Sequence, residues 1–143
     1  MILVYGTTIA MGGRAVLLRG SSGSGKSDLA LRLIEDGAVL VADDQTALTR
    51  EDAVLVARPP AAISGLLEVR GLGLVRLPYL SAAPLVLVID LVAPGAVERL
   101  PEAARAAYLE LEVPLLALAP FEASAAAKVR LAMRCATRDI ITA

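Results

Sequence analysis

The chain has 143 residues, with 14 Lys and Arg against 15 Asp and Glu and no histidine, for a formal charge of −1. One domain spanning residues 1–143 is the expectation at this length, and so balanced a charge excludes the basic field that nucleic acid or an anionic membrane surface would need. A single cysteine, Cys135, excludes an internal disulfide and a cysteine-based zinc cluster.

In chain order, MILV, TTIAM and AVLLR read as strands over residues 2–19, with the Gly12-Gly13 pair suited to a tight hairpin turn. SDLALRLIED carries apolar residues at 29, 30, 33 and 34, which predicts a short helix, and Gly37 stands where a left-handed cap is expected. AVLVA (38–42) is a predicted strand that ends on Asp43-Asp44, and DAVLVA (52–57) is another, stopped by Pro59-Pro60. Residues 65–80 hold glycines at 65, 71 and 73, which predict an irregular segment. PLVLVIDLV (84–92) has the continuous aliphatic character of a central strand. PEAARAAYLELE predicts a helix opened by Pro101, LLALA (115–119) a last strand, and FEASAAAKVRLAMRCA a final helix. The alternation of strands and helices predicts a mixed α/β domain.

The chain is 57% hydrophobic but only 3% aromatic, so its core is aliphatic, and the surplus of such side chains predicts burial at a homo-oligomer interface. The longest apolar stretch, PLVLVIDLVAPGAV, is interrupted by Asp90 and Pro94 and is shorter than the roughly 20 residues a membrane helix needs. No basic segment precedes the apolar start MILVYGTTIAMGG, so a cytoplasmic protein without membrane association is expected.

Gly20-Ser21-Ser22-Gly23-Ser24-Gly25-Lys26-Ser27 satisfies the Walker A pattern G-x-x-x-x-G-K-[ST] between a predicted strand and a predicted helix. Glycines let successive N–H groups face one concavity, the helix N-terminus adds its dipole, the lysine charge meets the β- and γ-phosphates, and the serine hydroxyl is offered to Mg²⁺. ATP and Mg²⁺ are the cofactors this pattern implies. Such a loop needs an acidic partner for the metal, and the candidates are Asp43-Asp44 and Asp90. Adjacent carboxylates can divide the work, one on the metal and one accepting a proton from an attacking hydroxyl, although a solvated turn has the same pattern. Asp90 lies inside a strand, which favours a structural hydrogen-bonding role. Glu68 and Arg70 alternate with Leu67 and Val69, so an extended backbone puts them on one face, either as metal ligand and phosphate clamp or as a surface ion pair.

The succession GSSGSGKSDLALRLIEDG, then VADDQ with Asp43 17 residues beyond Lys26, then LLEVRGLGLV, resembles the kinase domain of the HPr kinase/phosphorylase family across nearly the whole chain. The resemblance implies a P-loop-containing, phosphoenolpyruvate carboxykinase-like mixed sheet with flanking helices, a hexameric assembly, and phosphorylation of a serine on HPr, the phosphocarrier of the phosphotransferase system. It implies that Lys26 contacts the transferred phosphate, that Ser27 and Glu68 ligand Mg²⁺, and that Asp44 accepts the serine proton with support from Asp43. Arg99 would match the family's active-site arginine.

Three departures from the family pattern carry expectations of their own. The chain starts at the kinase domain, as in short forms without the additional N-terminal domain. Tyr5 in Val4-Tyr5-Gly6 stands where the family has a catalytic histidine, and a phenol with a pKa of about 10 carries protons poorly at neutral pH, which shifts the burden to Asp44. LALAPFEASA lacks the arginines of the family's C-terminal loop and adds Glu122, so kinase activity is expected in preference to phosphorylase activity. Two other readings accompany this one: a P-loop kinase with a different acceptor, and a nucleotide-sensing regulatory module with weak turnover.

Overall fold

The computed structural model describes residues 1–135. The first strands, β1 (Ile2–Tyr5), β2 (Thr7–Met11) and β3 (Arg14–Arg19), fall where the apolar runs put them. Between β2 and β3 the Gly12-Gly13 turn has φ of 57° and 77°, a pair of left-handed conformations that L side chains resist and that matches the twist of a two-residue hairpin. Helix α1 (Lys26–Glu35) follows the phosphate loop, buries Leu29, Ala30 and Leu33, and ends with the Gly37 N–H donating to the Ile34 carbonyl at 3.0 Å. β4 (Val39–Ala42) then leads to the aspartate pair.

Strand β5 (Gln45–Glu51) was not foreseen, because its alternating QTALTRE carries too few apolar residues to stand out. β6 (Val54–Arg58) closes a hairpin with it. Residues 65–80 are more regular than their glycines suggested: β7 (Leu66–Val69) and β8 (Gly73–Arg76) form a two-stranded antiparallel sheet of their own. The glycines make its turn, with Gly71 at φ 92° and Gly73 at φ 109°. β9 (Ala83–Leu91) is the central strand expected at 84–92.

The helix expected at PEAARAAYLELE is absent. In its place β10 (Ala104–Tyr108) turns back through Leu109 and Glu110, both at positive φ, into β11 (Leu111–Leu118). Alanine and glutamate favour a helix by weak propensity, but β11 gains a parallel partner in β9 and inserts Val113 into the core, and tertiary pairing outweighs the local preference. α2 (Ala125–Cys135) is the final helix; its predicted start at Phe121 is a turn, and its predicted last residue, Ala136, lies outside the described residues.

The main sheet runs β1-β5-β6-β9-β3-β2-β4, with β11 on β9 and β10 on β11. One edge of β9 pairs with β3 along its length, while the other meets β6 at Ala83-Pro84 and β11 from Val88 onward, so the sheet splits and curls. A register shift opposes Leu85 and Leu87 to the consecutive Ala15 and Val16, a bulge that changes which β9 side chains face each side. Leu87, Ile89 and Leu91 thus join Val16 and Leu18 beneath α1 and α2, whereas Leu85 and Val88 join Ala15 and Leu17 in a second apolar cluster. Burial on both faces explains why β3 reads as an uninterrupted aliphatic run.

This topology positions the site. β3, β9 and β11 are mutually parallel along the row, so their carboxyl ends lie on one edge of the sheet. β2 is antiparallel to β3 and β4 antiparallel to β2, which brings Thr7 and Asp43 to the same edge as the phosphate loop. No helix among the described residues is long and apolar enough to cross a membrane.

Candidate functional site

The phosphate loop leaves β3 and enters α1 through Gly25 at φ 102°. A Cβ there would lie 2.9 Å from the Phe121 ring, so sterics as well as φ demand glycine at position 25, while a Cβ on Gly20 would run into the Ser24 side chain and is disfavoured by sterics alone. Inside the loop the Ser24 N–H donates to the Ser21 carbonyl at 3.0 Å, while Ser24 Oγ is buried and has no hydrogen-bond partner among the described residues. An orphaned buried hydroxyl costs free energy, and a phosphate oxygen in the loop is a fitting acceptor for it. Lys26 Nζ donates to the Gly20 carbonyl at 2.7 Å and the Ser21 carbonyl at 3.0 Å, spanning the loop that its charge serves.

Asp43 is the centre of the polar network. It is only 7% exposed, and its Oδ1 accepts from the Ser27 hydroxyl at 2.8 Å and the Thr7 hydroxyl at 2.9 Å. Its Oδ2 accepts from the Glu68 backbone N–H at 3.0 Å, which ties β7 to the end of β4. All three donors are neutral, and among the described residues no cationic side chain lies within salt-bridge distance of this carboxylate. The next residue, Asp44, is exposed and has φ 68°, and the Gln45 N–H reaches over it to the Asp43 carbonyl at 2.7 Å. That bond closes a γ-turn of the strained, positive-φ kind, with Asp44 at its apex.

A cleft of about 300 Å³ joins these parts. Its lining includes Thr7, the loop residues Ser22, Gly23, Gly25, Lys26 and Ser27, both aspartates, Glu68, Arg70 and Phe121. Glu68 and Arg70 are exposed and share this cleft, and no ion pair between them is found among the described residues. Gly20, Ser21 and Ser24 shape the loop without lining the cleft. Two expected members stand apart from it: Tyr5 is exposed at the end of β1, and Arg99 is exposed in the segment after β9. The backbone of Tyr5 nevertheless adjoins the turn, since Tyr5 pairs with Gln45 and the next residue's N–H, that of Gly6, donates to the Asp44 carbonyl at 2.8 Å.

The donor set suits Mg²⁺ with a nucleotide. Among the described residues no cluster of three or more acidic, histidine or cysteine side chains could cage a metal unaided. Mg²⁺ is held in such sites by one or two carboxylates together with substrate phosphates and water, and here Ser27, Asp43 and Glu68 offer oxygen at the mouth of the phosphate loop. Asp90 takes a different course. Arg19 grips it through Nε at 2.7 Å and Nη2 at 2.9 Å, while Nη1 donates to the Tyr108 hydroxyl at 2.9 Å. The hydrogen bond to Asp90 chiefly holds the Arg19 guanidinium above its ordinary pKa; burial opposes it, and the Tyr108 hydroxyl adds a smaller upward effect. The structural role expected of Asp90 is the one it has.

Thr7 and Phe121 are among the lining residues that no sequence motif marks. Thr7 is buried at the first position of β2; its signal is a Thr-Thr pair opening an otherwise apolar strand. Phe121 is the chain's one phenylalanine and is exposed over Gly25, on a loop that the Arg32 guanidinium holds by donating to the Pro120 carbonyl.

Comparison with known proteins agrees with this geometry. The HPr kinase/phosphorylase of Clostridium acetobutylicum is 43% identical over 77 residues, covering 54% of this chain and 25% of that protein. That of Halalkalibacterium halodurans is 46% identical over 81 residues, covering 56% and 26%. The chain therefore spans about a quarter of the length of the curated relatives it matches. Among solved structures, the Hpr(Ser) kinase/phosphatase of Coxiella burnetii superposes with a TM-score of 0.80 at 23% identity, over 94% of this chain and 93% of that one, which shows a common fold. With residues 1–93 matching the family model of the HPr Serine kinase C-terminal domain, and the phosphate loop, the aspartate pair and the β7 strand all inside that span, the chain belongs to this family.

Proposed function

We propose that this chain is an ATP-dependent protein serine kinase acting on HPr or an HPr-like phosphocarrier protein. The observation that carries the reading is the Ser27–Asp43 hydrogen bond at 2.8 Å with Asp44 beside it at the apex of a strained turn, all within one cleft. Bound Mg²⁺ would draw electron density from the transferred phosphoryl group. Ser27 and Glu68, with Asp43 next to Ser27, are the oxygen donors that would hold it, and the Lys26 charge would neutralise the phosphate oxygens. The Asp44 carboxylate takes the proton of the acceptor hydroxyl as that oxygen bonds to phosphorus, and the bond from phosphorus to the ADP oxygen breaks. Arg99 and Tyr5 are secondary members of this proposal, since both lie outside the cleft lining.

Transfer is proposed to run mainly toward phosphorylation. The loop after β11 offers Phe121 and Glu122 in place of cationic groups, and Glu122 is paired with Lys128 at 3.1 Å. Exposed Leu3, Tyr5, Leu72 and Leu74 support a homo-oligomer as part of the same reading. The test is incubation with γ-labelled ATP, Mg²⁺ and HPr. Label on an HPr serine is expected, with little phosphorolysis of Ser-phosphorylated HPr when inorganic phosphate is added. Label on a different acceptor only, or tight ATP binding without transfer, would replace this reading by another kinase or a nucleotide sensor. In the latter case a gain of activity in Tyr5→His would mark Tyr5 as the cause.

A further inference from the structure

We propose that Thr7 is a positioning residue for the phosphoryl-transfer site, coupling the carboxylate of Asp43 to the backbone of Asp44 through one hydroxyl. The inference rests on the kinase reading above. Thr7 is 0% exposed yet lines the cleft, and its Oγ1 makes two contacts with different partners. It donates its single proton to Asp43 Oδ1 at 2.9 Å, and a lone pair accepts from the Asp44 N–H at 3.3 Å. The adjoining Gly6 N–H donates to the Asp44 carbonyl at 2.8 Å. Both backbone polar groups of Asp44 are thereby held by consecutive residues at the start of β2.

The arrangement meets a specific need. An aspartate at φ 68° sits in a conformation that L side chains seldom adopt, and such strain persists only where the surroundings over-determine it. Besides the local Gln45–Asp43 bond, this turn is held by Thr7 and Gly6, more than thirty residues away. The same hydroxyl keeps Asp43 Oδ1 turned toward Ser27, so the oxygen offered beside the metal position and the carboxylate offered to the acceptor are set by one contact.

The neighbouring Thr8 supplies a control. It is equally buried, but its hydroxyl pairs with Thr46 Oγ1 at 2.8 Å, and it does not line the cleft. Thr7→Val conserves the shape and removes the hydroxyl, Thr7→Ser retains it, and Thr8→Val removes an equally buried hydroxyl that bonds to neither aspartate. With HPr as acceptor, Thr7→Val is expected to lower kcat by roughly 10- to 100-fold, the loss typical of a misplaced reacting group, while KM for ATP changes little. Thr7→Ser should restore most of kcat, and Thr8→Val should leave it near the parent value. As a second measurement, the tightening of ATP binding by Mg²⁺, read by calorimetry, should be smaller in Thr7→Val than in the parent protein.

Parent-level kcat in Thr7→Val, or an equal loss in Thr8→Val, would overturn the positioning role and leave the kinase reading intact. If the parent protein labels no acceptor, the kinase reading fails, and the calorimetric comparison decides Thr7 alone: equal tightening by Mg²⁺ overturns it. Should Thr7→Val lose its folding transition, Thr7→Ala takes its place, and failure of both to fold beside a fully active Thr7→Ser would make the hydroxyl structural and overturn the proposal.

Discussion

Asp43 and Asp90 lie toward the same edge of the sheet, one just past the end of β4 and the other one residue before the end of β9, and they are satisfied in opposite ways. Asp90 gives both oxygens to a bidentate guanidinium, so its charge is neutralised within the protein. Asp43 is more deeply buried and receives only hydroxyl and amide donors, which orient the carboxylate and leave its charge uncompensated. The contrast teaches that availability for chemistry depends on the partner and not on the position along a strand. An acid held by neutral donors beside an anion-binding loop is poised for a cation; an acid closed by arginine has already found one.

Exchanging each carboxylate for an amide should separate the two roles, and the largest effect is on turnover. Asp43→Asn is expected to lower the initial rate of phosphoryl transfer to HPr by about 10²- to 10³-fold, whereas Asp90→Asn should change it by less than about threefold. Equal losses in both would break the distinction.

Stability should follow the reverse order. Asp90→Asn leaves the half-buried Arg19 without its ionic partner and should cost about 1 kcal/mol, read from denaturant unfolding at constant m-value. Both members of that pair are about one-third exposed, which keeps the figure small and makes it fall as salt is added. Asp43→Asn retains a carbonyl acceptor for the two hydroxyls and relieves a buried charge, which offsets the loss of the acceptor for the Glu68 N–H, so its net cost should be lower still. A larger loss in Asp43→Asn would mean that the uncompensated charge is part of what holds the fold.

The smallest expected effect is that of Tyr108→Phe, which removes one acceptor from Arg19 and should cost about 0.5 kcal/mol. The pair also predicts a flat response to alkali. A base whose pKa is raised on folding contributes stability below its unfolded value and loses it only as pH passes the folded one. For Arg19 the unfolded value already lies far above the mildly alkaline range and folding raises it further, so its contribution should stay constant across the neutral and mildly alkaline range. A drop in the Asp90-dependent stability between about pH 7 and pH 9 would contradict this.

Legibility followed the range of the interactions involved. The Gly12-Gly13 hairpin, the phosphate loop and α1 depend on contacts within a few residues, and all three stand where their residue patterns put them. The segment 101–112 reads as helical from its alanines and glutamates, but β10 within it is drawn into a hairpin with β11, and β11 is anchored on the distant strand β9 only through residues 115–118, beyond the segment. β5 was missed for the same reason: Thr46, Ala47 and Leu48 are buried by β1 and β6, and little in QTALTRE announces it. Within the site, Lys26, Ser27, Asp43, Asp44 and Glu68 were visible as residue types at motif spacing and are brought together in the cleft. Thr7 and Phe121 were not, since neither belongs to a local motif.

The sequence by itself determined a strand–loop–helix with the Walker A spacing, because glycine, lysine and serine at those spacings shape the backbone from within. Only the tertiary structure decided which aspartate bonds to that loop and what orients it. The donors that orient Asp43 come from Ser27, Glu68 and Thr7, at separations of 16, 25 and 36 residues, and a carboxylate's task is set by the groups that folding brings to it.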